Sequence, residues 1–362
     1  MQEALELARR GLGRTSPNPA VGAVLVRDGE IVGRGFHTWA GVKHAEVLAL
    51  EEAGERARGA TLYVTLEPCS HHGRTGPCTE AIRSAGVARV VAAMKDPNPL
   101  VNGAGLKQLR EAGISAELDD RYAAQAAAIN EAYVHFMRTG RPLVTLKAAV
   151  TLDGKISAPD DNQGWITSER AREHVQKLRH LSDAILTGIG TVLADDCLMT
   201  DRTGLERSRP LLRIVVDSQL RLPPSARMLA AGTSDVLVVT TSAASPERRR
   251  VLESMGVRIL TLDGAGGRTD LRALVEHLAR ERYLSLMVEA GSKLNWSVLE
   301  TGVADKIFFY YAPKILGGMH SLPVVGGVGR RRRSDAILFR NIRLHRITED
   351  EFAVEGWLVK GS

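Results

Sequence analysis

The chain is poor in cysteine, in aromatic residues and in long apolar runs. Its 362 residues include three cysteines, Cys69, Cys78 and Cys197, which is typical of a protein from a reducing compartment and argues against a disulfide framework. No run of about 18 apolar residues occurs, and the first helical stretch, residues 3–12, carries charges throughout. The sequence therefore predicts neither a membrane span nor a secretory signal. We expect a cytoplasmic protein with no membrane partner.

Positive charge is in modest excess, and it is not accompanied by aromatic residues. The formal net charge is +6, and Phe, Trp and Tyr make up 4% of the chain. The basic run from Arg330 to Arg333 lies in a glycine-rich region without interleaved aromatics, which favours a solvated loop over a nucleic-acid platform. We expect no nucleic-acid partner.

A histidine, a glutamate and two cysteines organise the first half of the chain. His44 and Glu46 are separated by one residue, Cys69 follows a proline, and Cys78 comes after eight further residues. One imidazole and two thiolates can hold Zn²⁺ with its fourth position open to water, as in catalytic sites. Zinc deaminases of pyrimidine rings have the signature H-x-E…P-C-x-x-C, in which the Glu moves protons. The pattern predicts such a deaminase, with a longer gap between its cysteines.

A structural zinc site is the alternative interpretation, because His71 and His72 could complete a closed set of four ligands. We favour the catalytic interpretation, since Glu46 at this spacing has a role only beside a reactive water. His37 and His71 are also candidates for substrate contact, although a lone histidine is as often a satisfied polar group.

Strand and helix patterns alternate in both halves, which predicts two layered α/β domains. Gly140 and Pro142 interrupt the pattern between the halves. We therefore predict a deaminase domain over residues 1–140 and a second domain over residues 141–362.

Several local predictions follow from turn and helix signals. Asp28-Gly29 between two apolar runs predicts a hairpin, and apolar spacing predicts helices over residues 106–112 and 123–138. Residues 188–196 are interpreted as a glycine-containing loop after a strand. The strand ending at Val288 leads through a turn into a helix whose first N–H groups could hold a phosphate, although an ordinary turn fits both segments.

The motifs occur together, in one order, over nearly the whole chain. They are Ser16 to Gly22, His44 to Glu46, Pro68 to Cys78, Leu152 to Ile156, Trp165 to Ser168, Thr191 to Asp196, Val216 to Ser218 and Val288 to Gly291. In this combination the sequence resembles the bifunctional riboflavin biosynthesis family. Its members join a diaminohydroxyphosphoribosylaminopyrimidine deaminase to a 5-amino-6-(5-phosphoribosylamino)uracil reductase.

The resemblance implies two three-layer α/β domains, an N-terminal cytidine-deaminase-like domain and a C-terminal dihydrofolate-reductase-like domain. It implies that His44, Cys69 and Cys78 bind zinc and that Glu46 is the proton shuttle of deamination. It further implies that the second domain uses NADPH to reduce the ribosyl group of the deaminated product to a ribityl side chain. The substrate would be 2,5-diamino-6-ribosylamino-4(3H)-pyrimidinone 5′-phosphate.

The same resemblance assigns binding residues in the second domain. Positions matching the NADP site are Ala149, Trp165, Thr191, Asp195, Ser218, Gly291, Ser292, Lys293, Leu294, Asn295, Trp296 and Ser297. Positions matching the substrate site are Asn18 in the first domain and Gln163, Arg179, Met199, Arg202 and Glu289 in the second. Arg179 and Arg202 are suitable for the ribose phosphate.

Two positions depart from the family pattern, and one other function is left open. Cys197 replaces a common Pro and Met199 a common Leu, which affects fine pocket shape. The partners we expect are the phosphoribosylaminopyrimidine substrate and further copies of this chain in a homo-oligomer. The alternative function is a nucleoside or tRNA deaminase with a non-catalytic, nucleotide-binding C-terminal domain.

Overall fold

The computed structural model describes residues 1–38, 43–71, 76–99, 101–160 and 164–359. The chain divides into two compact units. The first comprises Met1–Gly140 with Glu206–Arg209, and the second comprises Arg141–Leu205 with Pro210–Ser362. Within the described ranges, no helix combines the length and the apolar character needed to span a bilayer.

The first unit is built on a mixed sheet. Its strands are ordered β2-β1-β3-β4-β5, with β1 antiparallel to β2 and β3, and with β3, β4 and β5 parallel to one another. The elements of this unit are α1 Gln2–Arg10, β1 Gly22–Arg27, β2 Glu30–Phe36, α2 Ala45–Ala53, β3 Thr61–Val64, α3 Cys78–Ser84, β4 Arg89–Ala92, α4 Ala104–Glu111, β5 Ser115–Leu118, α5 Ala123–Ile129 and α6 Glu131–Thr139.

The turn between β1 and β2 is the two-residue turn that the sequence predicts. Asp28 and Gly29 have φ of 52° and 81°, the left-handed backbone that a type I′ turn requires at both positions. The two strands pair from Gly22↔Phe36 to Arg27↔Glu30. The predicted hairpin is confirmed.

Glycines bring helices close to both faces of this sheet. A Cβ on Gly35 would lie 2.1 Å from the carbonyl oxygen of Ala45 in α2, and one on Gly22 would lie 2.0 Å from that of Ala4 in α1. Gly35 pairs with Ala23, the neighbour of Gly22. Because adjacent strand residues face opposite sides, α1 and α2 cover opposite faces. The close contact at Gly35 sets the position of α2, which carries the predicted catalytic glutamate.

A buried asparagine divides the helix predicted over residues 123–138. Asn130 adopts φ −105° and ψ 29°, so that α5 ends before it and α6 begins after it. Its Oδ1 accepts the Ala20 N–H at 2.8 Å, and its Nδ2 donates to the Ala20 carbonyl at 2.8 Å. The prediction of one helix was wrong because helical periodicity does not register a contact with a residue 110 positions earlier.

The second unit contains a nine-stranded sheet, in which the seven strands from β11 at one edge to β13 are parallel to one another. The order is β11-β10-β9-β8-β12-β6-β13-β16-β15, with β16 antiparallel to β13 and β15 antiparallel to β16. Its elements are β6 Leu143–Thr151, β7 Lys155–Ser157, α7 Glu169–Leu181, β8 Ala184–Gly188, α8 Ile189–Asp195, β9 Leu212–Val216, α9 Arg227–Ala230, β10 Val236–Thr240, α10 Pro246–Ser254, β11 Arg258–Thr261, α11 Leu271–Arg280, β12 Ser285–Val288, α12 Ser292–Glu300, β13 Lys306–Ala312, β14 Leu322–Pro323, β15 Phe339–Arg346 and β16 Phe352–Leu358.

Alternate residues of the central strands enter cores on opposite faces of this sheet. Leu186 of β8 packs in a core with α11 and α12. Its neighbour Ile185 packs on the other side against Leu178 of α7. Strands buried on both faces read as continuous apolar runs, as in α/β folds. The predicted α/β class is confirmed, and this unit has three layers.

Two parts of this unit differ from the sequence prediction. Most of the predicted loop over residues 188–196 is helix α8, because Ile189 and Val192 are buried in the core beneath it. The hairpin of β15 and β16 was missed. Since β15 is an edge strand with mostly exposed residues, it lacks the alternating apolar pattern that identifies a half-buried strand.

Candidate active sites

Three separate elements bring the predicted zinc ligands together. His44 is the N-cap of α2, Cys69 lies beyond the carboxyl end of β3, and Cys78 is the first residue of α3. Their ligand atoms all lie within 4.8 Å of one another. Both helices direct their N-terminal N–H groups towards the cluster, which favours negative charge there.

The donor atoms have the spacing that zinc requires. His44 Nδ1 lies 3.2 Å from Cys78 Sγ and 3.5 Å from Cys69 Sγ. Zn–S and Zn–N bonds of about 2.3 and 2.1 Å at tetrahedral angles place the N and S donors about 3.6 Å apart. The residues present therefore fit a zinc ion held by one nitrogen and two sulfurs.

The cluster is electrostatically prepared for a cation. The neighbouring Cys78 thiol, helped by the hydrogen bond with His44 and opposed by burial, lowers the pKa of Cys69. The neighbouring Cys69 sulfur, together with burial, raises the pKa of Cys78. The Cys69 thiolate in turn raises the pKa of His44. A thiolate beside an imidazole is the kind of ligand pair that zinc prefers.

Glu46 lies in the first turn of α2, beside the cluster. It is 4% exposed, and its carboxyl group interacts electrostatically with His44 and Cys69. Burial raises the pKa of Glu46 to about 7, although the His44 charge opposes the shift. A buried carboxyl group with a pKa near neutrality can both accept and release a proton at physiological pH.

His37 and Asn18 form a hydrogen-bonded pair next to the ligands. The His37 ring packs edge-on against His44, with centroids 5.4 Å apart. Its Nδ1 is 3.1 Å from the Lys43 carbonyl and its Nε2 is 3.4 Å from Asn18 Nδ2. Because Nδ1 donates its hydrogen to the carbonyl, Nε2 is unprotonated and accepts a hydrogen bond from the Asn18 amide group. The Asn18 side-chain oxygen then remains able to accept a hydrogen bond from another group. Substrate contact by these two residues stays a prediction.

The structural-zinc alternative finds no support in the described residues. The metal-binding group found there consists of His44, Cys69 and Cys78 and does not include His71, which is exposed. His72 lies outside the described residues. Three protein ligands with an adjacent carboxylate favour the catalytic interpretation.

The second unit holds a buried cluster of opposite charges around Glu289, directly after β12. Arg179 of α7 binds Glu289 through two hydrogen bonds of 2.8 and 3.1 Å. Lys147 of β6 binds it at 3.1 Å. Burial alone would raise the pKa of Glu289, but the two cations outweigh burial and lower that pKa to about 2. Glu289 is therefore an ionised hydrogen-bond acceptor.

Lys147 is the residue of this cluster that sequence reasoning missed. It lies within the apolar run of β6, and its side chain is 11% exposed. A lysine inside a buried strand is rare unless it is paired. That anomaly in the run over residues 143–150 was the signal that could have revealed it.

The other residues predicted to bind substrate differ in their solvent exposure. Arg202 is exposed, and its backbone N–H donates to Gln176 at 2.9 Å. Met199 is buried in the core with Ile185 and Met287. Cys197 is half-buried, and burial raises its pKa to about 11, so its thiol stays protonated. Gln163 lies outside the described residues.

The stretch predicted to bind NADP coincides with the start of α12. Gly291 is its N-cap and has no side chain to cap the helix. Ser292 Oγ, Asn295 Oδ1 and Trp296 Nε1 are buried and have no hydrogen-bond partner in the described structure. A helix N-terminus beside an unpartnered hydroxyl fits a phosphate of a nucleotide. The same stretch also contains Lys293, Leu294 and Ser297.

The remaining predicted NADP residues lie on several elements. A Cβ on Gly291 would lie 3.6 Å from Thr191 Oγ1, so the starts of α8 and α12 are adjacent. Asp195 is the exposed last residue of α8. Ala149 is on β6, Ser218 follows β9, and the Trp165 ring is 68% exposed beneath the guanidinium of Arg172.

Known families match both units. The cytidine and deoxycytidylate deaminase zinc-binding region matches residues 1–94, and the RibD C-terminal domain matches residues 142–351. Riboflavin biosynthesis protein RibD of Escherichia coli (strain K12) is 42% identical over 365 residues, which covers 97% of this chain and 96% of that protein. The chain belongs to the RibD family.

Solved RibD structures have the same fold. RibD of Acinetobacter baumannii (form 1) superposes with a TM-score of 0.88 at 36% identity, over 99% of this chain and 98% of that one. The deaminase/reductase of Thermotoga maritima superposes with a TM-score of 0.82 at 34% identity, over 99% and 97%. As a RibD protein, the chain is a bifunctional enzyme of riboflavin biosynthesis, a deaminase that uses Zn²⁺ and a reductase that uses NADPH. The alternative of a non-catalytic C-terminal domain is not favoured.

Proposed function

We propose that residues 1–140 deaminate 2,5-diamino-6-ribosylamino-4(3H)-pyrimidinone 5′-phosphate and that residues 141–362 then reduce its ribosyl group. The observation that carries the proposal is the triad His44, Cys69 and Cys78, with Glu46 buried beside it. The similar Thermotoga maritima protein, a diaminohydroxyphosphoribosylaminopyrimidine deaminase and 5-amino-6-(5-phosphoribosylamino)uracil reductase, supports the same pair of activities.

In the deaminase, His44, Cys69 and Cys78 hold the zinc ion and Glu46 moves the proton. Zinc supplies a Lewis acid that activates water for attack on the ring carbon that bears the amino group. Glu46 accepts a proton from the attacking water and delivers it to the departing amino group. Asn18, oriented by His37, accepts a hydrogen bond from the substrate.

In the reductase, α12 holds the cofactor and the Glu289 cluster holds the substrate. NADPH supplies the hydride that adds to C1′ of the open-chain ribosyl group. The N–H groups of Gly291 to Lys293 and the Ser292 hydroxyl bind a cofactor phosphate. Glu289, kept ionised by Lys147 and Arg179, accepts hydrogen bonds from N–H groups of the pyrimidine. Since Arg179 is engaged with Glu289, exposed Arg202 is the better partner for the ribose phosphate.

The chain is proposed to act as a homo-oligomer in the cytoplasm. The edge strand β15 supports association, because Ile342 and Leu344 are 52% and 72% exposed on it. An open edge with apolar side chains is a surface that proteins commonly cover. The low cysteine content supports the location.

Zinc content and ammonia release in three variants test the deaminase assignment. We expect Glu46→Gln to keep zinc and to lose deamination by more than about 100-fold. Cys78→Ser should lose both zinc and deamination, because a hydroxyl is a poor zinc ligand. Cys197→Ser, in the other unit, is the matched control and should keep both.

Each variant should still reduce substrate that has already been deaminated. Near-normal ammonia release by Glu46→Gln would refute the proton shuttle. Full zinc occupancy of Cys78→Ser would refute the ligand set.

A further inference from the structure

Glu67 is a buried carboxylate two residues before Cys69. It is 3% exposed and lies where the chain leaves β3 for the zinc site. Its two oxygens bind a segment that follows β4 in the sequence. The donors are the backbone N–H groups of Asp96 at 3.2 Å and Gly103 at 2.8 Å to Oε2, and of Gly105 at 2.9 Å and Leu106 at 3.3 Å to Oε1.

The Glu67 carboxylate caps the N-terminus of α4, although it is distant from that helix in the sequence. Gly103, the N-cap residue of α4, has no side chain to accept the first N–H groups of the helix. Glu67 accepts those of Gly105 and Leu106 instead, and its negative charge faces the positive end of the helix. The cap explains why α4 begins at Ala104, two residues before the start predicted from apolar spacing.

The same contact presses α4 against the peptide that leads into Cys69. A Cβ on Gly105 would lie 1.9 Å from the Pro68 carbonyl oxygen, so only glycine allows this approach. On its other side, the Cys69 carbonyl accepts the Thr79 N–H at 3.2 Å, and the Cys69 sulfur accepts the Cys78 N–H at 3.4 Å. The position of Cys69 is therefore restrained on one side by α4, through the Pro68 peptide, and on the other side by the hydrogen bonds from the start of α3.

We propose that Glu67 is a positioning residue of the zinc site. By binding the start of α4 it holds the Pro68 peptide and so sets the place of the Cys69 sulfur relative to His44 and Cys78. Zinc bond lengths tolerate only a few tenths of an ångström, and groups that orient metal ligands typically change metal affinity by about 10- to 100-fold. The inference rests on the proposed zinc site.

Zinc affinity of the full chain, measured by competition with a chelating dye, tests the proposal. In Glu67→Gln, an amide NH₂ would face N–H donors and the charge would be lost. We expect its zinc dissociation constant to rise about 10- to 100-fold. Gly105→Ala disturbs the same contact from the other side and should shift affinity in the same direction. Glu55→Gln, an exposed glutamate of the same unit, is the control and should match the wild type.

The spectrum of the Co²⁺-loaded protein separates positioning from general stability. We expect Glu67→Gln and Gly105→Ala to shift the thiolate-to-cobalt absorption. A lower unfolding temperature with an unchanged spectrum and unchanged zinc affinity would overturn the proposal. If Glu67→Gln does not fold, wild-type zinc affinity in Gly105→Ala overturns it equally. Failure of the wild type itself to bind one zinc would instead refute the zinc site.

Discussion

At the scale of single residues, Glu289 stabilises the fold in addition to its proposed role in substrate binding. Its carboxylate is balanced by Arg179 and Lys147, which come from different elements. Removing one charge from such a buried cluster leaves the others uncompensated, which typically costs about 3 to 5 kcal/mol. The cluster therefore holds α7, β6 and the end of β12 together at the site.

Glu289→Gln should lower the free energy of unfolding at neutral pH, and the difference from wild type should depend on pH. The pKa of Glu289 is about 2 in the folded chain, against 4.5 for the free group. The stability from its charge is complete above 4.5 and is lost as the pH falls through 2. The gap between wild type and variant should therefore narrow on acidification, as urea unfolding at a series of pH values can measure.

The matched control for this prediction is Glu276→Gln, which changes an exposed carboxylate of the same unit. It should leave the free energy of unfolding within about 0.5 kcal/mol of wild type. A gap for Glu289→Gln that stays constant down to about pH 3 would show that its charge does not stabilise the fold.

Site residues could be predicted from the sequence when the pattern that identifies them lies within a short stretch of chain. His44, Glu46, Cys69 and Cys78 form short motifs whose chemistry can be recognised without a fold, and the structure brings the side chains of His44, Cys69 and Cys78 together. Lys147 and Glu67 were missed because their roles come from partners far away in the sequence, 142 and 29 residues away. For these positions, a buried charge in an apolar run is the only local clue.

At the scale of elements, the junction of α5 and α6 supports the segment that leads from Asn18 into β1. Asn130 holds both backbone groups of Ala20. That residue ends the segment that carries Asn18, which leads into β1. The break in the helix therefore fixes the approach of this segment to the sheet.

Asn130→Ala should destabilise the chain by about 1 to 3 kcal/mol, because it leaves the buried N–H and carbonyl of Ala20 unpaired. We also expect a higher KM for deamination, since Asn18 loses its support, while reduction of deaminated substrate is unchanged. Denaturant unfolding and separate assays of the two reactions measure these effects. Gln125→Ala on exposed α5 surface is the control, and equal behaviour of the two variants would contradict this role for Asn130.

Elements with strong local signals were predicted, and those that depend on tertiary context were not. The Asp28-Gly29 hairpin is specified by its own turn chemistry. Helix α8 was mistaken for a loop because its short apolar side fits a core that the sequence does not display. The edge strand β15 carries arginines at positions where a half-buried strand would alternate apolar and polar residues, so its sequence does not identify it as a strand.

At the scale of the whole molecule, two compact α/β units carry two different chemistries. The metal triad belongs to the first unit, and the Glu289 cluster and α12 belong to the second. The order of the reactions follows from what each unit acts on, since the proposed reductase substrate is the product of the deaminase. One chain should therefore convert the diamino compound through both steps.

The most direct measurement supplies purified, zinc-loaded chain with the diaminopyrimidine ribosyl phosphate, with and without NADPH. Ammonia is assayed, and the products are identified by mass spectrometry. We predict one ammonia per substrate in both samples, and a ribitylamino product with matching NADPH oxidation only when NADPH is present. Absence of ammonia release, or release of ammonia with no NADPH oxidation, would contradict the assignment of both activities to this chain.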